Sequence, residues 1–62
     1  MEKKEFLERL ARALAGQVSQ AVIEENLRYY DSYLSEEMAK GKTIHQVIEE
    51  LGDPRLIAKS II

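Results

Sequence analysis

The chain has 62 residues, with nine Lys and Arg, eleven Asp and Glu, one His and a formal net charge of -2. This length allows one domain with a thin core, since a chain this short buries only about 60% of its unfolded surface. The absence of cysteine excludes a disulfide framework and thiolate metal sites, and the mild acidity counts against a nucleic-acid module.

At 45% hydrophobic and 32% charged residues the composition is that of a folded domain rather than a disordered segment. No apolar run approaches the roughly 20 residues that cross a bilayer, and Met1-Glu2-Lys3-Lys4-Glu5 is no signal peptide. Phe6, Leu7, Leu10, Ala13 and Leu14 share one face of a helical wheel, which predicts a first helix over about 2–15. Glu5 with Arg9 and Glu8 with Arg12 are acid-first pairs four residues apart, and Gly16 follows where a left-handed C-terminal cap is expected.

Ser19 is the candidate N-cap of a second helix over about 20–40, with Val18 and Ile23 placed as a hydrophobic staple. Ile23, Leu27, Tyr30, Leu34 and Met38 form a continuous stripe, and Val22, Tyr29 and Tyr33 a second row that widens the apolar face. Lys40 suits the helix dipole and Gly41 ends the helix. Thr43-Ile44-His45-Gln46 has the form of a capping box opening a third helix over 44–51, with Ile44, Val47, Ile48 and Leu51 on one face. Gly52 stops it, and Asp53-Pro54 starts a fourth over 54–61 carrying Leu56, Ile57, Ala58 and Ile61. The link between the last two helices is too short for slack, so they form a sharp corner. No stretch alternates with period two, and the pattern is one all-α domain over 1–62, a compact bundle of two longer helices plus a short helical corner. The apolar end at Ile61-Ile62 points to a domain within a longer polypeptide. A chain that dimerises through its last helix is the other reading.

Little in the sequence supplies catalysis, and neither a cofactor nor a metal site is expected. His45 is the lone imidazole and reads as a solvated or capping residue, without the second His or Cys that a zinc site needs. Glu24-Glu25, Glu36-Glu37 and Glu49-Glu50 are adjacent acids that diverge on a helix, so they read as solvated faces. Asp31 and Asp53 lack calcium-loop spacing, and Gly41 and Gly52 are isolated caps rather than a phosphate loop. A recognition helix fails on charge, since the fourth helix offers only Arg55 and Lys59 while the third carries Glu49 and Glu50. Tyr29 and Tyr33 share a flank of the second helix, so at least one ring is expected to be partly exposed. That flank and the end residues Ile61 and Ile62 are the candidate interaction surface, against the plainer reading that the tyrosines only widen the core.

The run Val47-Ile48-Glu49-Glu50-Leu51-Gly52-Asp53-Pro54-Arg55-Leu56-Ile57-Ala58 resembles the LGDP…IA signature of the HAAS-type, PadR-associated signalling domain family of Gram-positive bacteria. Tyr29-Tyr30-Asp31-Ser32-Tyr33, Gly41-Lys42-Thr43 and Phe6-Leu7-Glu8-Arg9-Leu10 are similar to its tyrosine-acid helix, its Gly-Lys-Ser/Thr turn and its opening helix, so the likeness covers essentially the whole chain. Gln17-Val18-Ser19-Gln20 stands where members often carry a proline and acids, and Ile44-His45-Gln46 where they open with acids. The resemblance implies an all-α module on the cytoplasmic inner face of a membrane protein, tethered by a segment C-terminal to it and linked to a PadR-like transcriptional regulator. Its implied role is regulatory protein–protein interaction rather than catalysis, with Leu51, Gly52, Asp53 and Pro54 as a structural signature. Expected partners are such a regulator or a second copy in a homodimer. Neither nucleic acid nor direct membrane insertion by this segment is expected. The alternative is a structural homo-oligomerisation domain, and a small DNA-binding helical domain ranks below both.

Overall fold

The computed structural model describes all residues, Met1–Ile62, as four helices without a strand: α1 (Lys3–Leu14), α2 (Gln20–Ala39), α3 (Ile44–Leu51) and α4 (Pro54–Ile61). Each start has a local cause. Ser19 Oγ accepts the Val22 N–H at 3.2 Å, and Asp53 Oδ1 accepts the Arg55 N–H at 2.8 Å with Pro54 at the first helical position. Thr43 and Gln46 form the expected capping box, each side chain accepting from the other's backbone N–H at 3.1 and 2.8 Å. Only α1 starts without a side-chain cap, on an extended Glu2.

The helix ends shift slightly from the sequence reading. Glu2 and Ala15 are extended and flank α1 rather than joining it, and Lys40 is the C-cap of α2. Ala15 (φ -59°, ψ 128°) and Gly16 (φ +77°) are the central residues of a type II turn closed by the Gln17 N–H on the Leu14 carbonyl at 3.0 Å. The left-handed residue therefore stands one position beyond the cap. At the other end of α2, the Gly41 N–H reaches the Met38 carbonyl and the Lys42 N–H the Glu37 carbonyl, the Schellman closure.

α1 lies at the centre of the packing. It contacts both α2 and α4, while α3 packs on α2. Lys3 at the start of α1 reaches Asp31 and Ser35 late in α2, so these two helices run antiparallel. Phe6, Leu10 and Leu14 are fully buried, together with Leu34 of α2, and Ile23, Ile44, Val47, Ile57 and Ala58 complete the core. Pro54, read from sequence only as a helix starter, is also fully buried. The accessible surface is 4219 Å², against about 4,100 Å² expected for a monomer of this mass, so four short helices do close over the core. The wide apolar face of α2 is accordingly half buried at Val22, Leu27, Tyr30 and Tyr33. Met38, the last member of its stripe, overhangs the core at 40% exposure.

The corner between α3 and α4 is constrained by backbone rather than by space. A Cβ on Gly52 would meet nothing within 4 Å, but its φ of +98° and ψ of -177° lie in a region that only glycine occupies freely. Gly16, near the ordinary left-handed region, asks less of a side chain. Gly52→Val should therefore cost about 2–3 kcal/mol against about 1 kcal/mol for Gly16→Ala. Thermal melts of the two variants check this, and equal midpoints would count against the corner. Leu10→Ala should lose about 2–5 kcal/mol, much of the roughly 3–9 kcal/mol a chain of this length holds, read as a large fall in the same midpoint.

Candidate interaction surface

The arrangement of Tyr29, Tyr30 and Tyr33 follows from one local fact: residues four apart on a helix share a flank while adjacent ones diverge, so the three cannot all face inward. Tyr30 turns toward α1, its ring 6.3 Å from that of Phe6. Burial pushes its hydroxyl above the ordinary tyrosine range, and the neighbouring Tyr29 and Tyr33 add to the rise. Tyr29 stands outside, 60% exposed, edge-on to Tyr30 at 4.9 Å and stacked with Tyr33 at 6.4 Å. The expectation of a partly exposed ring thus holds at Tyr29, while the half-buried Tyr33 packs against the core. Beside these rings is a shallow concavity of about 450 Å³ walled entirely by α2, with Glu25, Arg28, Ser32 and Glu36.

Ile61 ends α4 and is half buried against the core, while Ile62, the residue after it, is 59% exposed. The structure brings Tyr29 and Tyr33 together, and neither isoleucine lines their concavity. Leu56, read from sequence as part of the apolar set of the fourth helix, is 63% exposed. His45 is exposed, with Nε2 3.7 Å from the Glu2 carboxylate. No three His, Cys, Asp or Glu side chains gather in a way that could hold a metal ion. Of the two acid-first pairs read in α1, Arg9 bonds Glu5 at 2.5 Å, whereas Glu8 and Arg12 form no ion pair.

Sequence reasoning missed an ionic clasp between α2 and α3. The Lys42 ammonium lies 2.9 Å from Glu37 and 3.0 Å from Glu50, and Lys40 adds a second bond to Glu37 at 2.9 Å. Hydrogen bonds from Lys40 and then Lys42 hold the Glu37 carboxyl below the usual carboxylate range, outweighing its partial burial. Hydrogen bonds to Glu37 and then Glu50 hold Lys42 above the usual lysine range. The Glu37–Lys40 spacing of three is legible on a helix, but Lys42 meets Glu50 only once the Gly41 turn has folded α3 back onto α2.

The turn motifs and the tyrosine helix now have structural causes. Gly41 closes α2, Lys42 clasps the two helices and Thr43 caps α3. Asp31, beside the tyrosines, takes the Lys3 ammonium, while Gly52-Asp53-Pro54 makes the corner. A family model for HAAS matches residues 5–60. The chain belongs to the HAAS family. HAAS domains are non-catalytic and associated with PadR-like regulators. No curated protein and no solved structure matches the chain.

The clasp makes a pH-dependent contribution to the fold. Glu37, lowered from 4.5, contributes its full stabilisation above that value and loses it as pH falls through the lowered one. Lys42, raised from 10.5, contributes fully below that value and loses its share only at strongly alkaline pH. The thermal midpoint should therefore drop as pH falls below about 4.5, and Glu37→Gln should flatten part of that drop. An unchanged slope in the variant would leave the clasp without energetic weight.

Proposed function

We infer that this HAAS domain is a non-enzymatic regulatory module that works by docking a protein, with a PadR-like transcriptional regulator as the partner. The observation that carries the reading is Tyr29: a large ring held in place by Tyr30 and Tyr33, yet left 60% exposed on a helix whose opposite face is the core. Tyrosine supplies contact area at little entropic cost and is enriched where binding energy concentrates, so an exposed Tyr29 backed by two packed rings fits a docking surface. Ile62 adds a further exposed apolar side chain just past the end of α4. The exposed acids Glu49 and Glu50 of α3 would meet phosphate with repulsion, which favours a protein over DNA.

In this reading the domain sits at the cytoplasmic face of the membrane, tethered by a segment C-terminal to it; no helix here is itself long and apolar enough to cross. Structural homo-oligomerisation is the alternative. The test is an isotope-edited NMR titration with a PadR-like regulator encoded beside the domain. Shifts should concentrate at Tyr29, Tyr33 and Ile62, and Tyr29→Ser should weaken binding about tenfold or more while the melting midpoint moves little. Shifts confined to other faces, or wild-type affinity in Tyr29→Ser, would defeat this assignment.

A further inference from the structure

The outer side of α2 carries a row of side chains spaced four apart: Glu24, Arg28, Ser32, Glu36 and, just past the helix end, Lys40. All five are exposed. Their signs run minus, plus, neutral, minus, plus. Reversed, the same row reads plus, minus, neutral, plus, minus, so every charge becomes its opposite about Ser32.

An ordinary cause for this order would be pairing within the helix, Glu24 with Arg28 and Glu36 with Lys40, in the favoured acid-first sense. The structure uses neither pair. Lys40 turns to Glu37, Glu24 accepts the Gln20 amide at 3.3 Å, and Arg28 and Glu36 enter no ion pair. Two exposed opposite charges, eight residues apart, are thus left free on either side of a small serine.

We propose that this row is a self-complementary surface on which a second copy of the chain docks, its α2 antiparallel to the first about a twofold axis at Ser32. In such an isologous pair Arg28 meets Glu36 of the second copy and Glu24 meets its Lys40, each contact made twice. Side chains four apart form a ridge on a helix surface, and the small Ser32 at the axis leaves room for the second copy to approach. Tyr29 and Tyr33 form the adjacent ridge, and the second copy covers both rings, removing the exposed Tyr29 surface from water. The inference goes beyond the docking reading by naming a second occupant for the tyrosine face of α2. A second copy and a regulator would use that face one at a time.

Sedimentation equilibrium of the full 62-residue chain, from about 10 μM to about 1 mM, tests the pair. At low salt it should show a reversible dimer that weakens as salt is raised, because exposed charges are screened. Arg28→Glu or Glu36→Arg alone should weaken it about tenfold or more, each placing like charges at two symmetric contacts. The double exchange should restore it, because the contacts re-form with opposite polarity, and circular dichroism should find all three variants folded. A monomer at about 1 mM in low salt, single reversals that pair as well as the parent, or a double exchange that fails to rescue would each overturn the proposal. A chain that pairs but never binds a regulator would leave this inference standing and remove only the regulator reading.

Discussion

The burial of one row of α1, Phe6, Leu10 and Leu14, is the interaction on which the rest of this structure depends. A chain of 62 residues has too little interior to support independent cores, so its helices must share one contact surface. α1 provides it, with α2 against one side and α4 against the other, while α3 reaches the core through α2. The antiparallel α1–α2 pair and the returning corner are both consequences of that sharing. The spacing of 4 that puts Phe6, Leu10 and Leu14 in line is also what lets a 12-residue helix contact two partners along its length.

Around this core, polar links fix how the ends of the helices meet. Lys3 ties the start of α1 to Asp31 and Ser35, and Lys42 ties the end of α2 to α3 through Glu37 and Glu50. Exposed ion pairs contribute little individually. Glu37 differs in being shielded and in taking two ammonium groups, so the clasp sets the angle of a turn more than it adds to the total. The Gly-Lys-Thr sequence thereby divides its work by residue: left-handed backbone, clasp and cap.

The absence of buried unpaired polar groups and the shallowness of the concavities leave the domain's chemistry on its outer faces. α2 is the element with two useful faces. Its inner stripe builds the core, and its outer side presents Tyr29 beside a charge row that the fold leaves partly unpaired. The HAAS family assignment and the physical layout describe the same object, a small helical body whose exposed groups lie on its outer faces.

Helix identity, order and most ends were legible in the sequence because their causes are local. Periodicity, the Ser19, Thr43 and Asp53 caps and the three glycine stops act within four residues, and all reappear in the structure. So did the exposure of one tyrosine, which follows from helix geometry alone. The Lys42 clasp, the burial of Pro54, the unused Glu8–Arg12 pair and the exposure of Leu56 were not legible. Each depends on which groups lie across from or beside the residue in the folded chain, and that is set by long-range packing. The reason for the rigid Gly52 corner likewise needed the backbone angles, since the sequence could place the glycine but could not separate lack of space from conformational strain. The sequence by itself determined four helices and their stops through short-range hydrogen bonding and apolar period. Only the tertiary structure decided which apolar and charged groups face a neighbour and which face water, because that depends on long-range packing around one buried row.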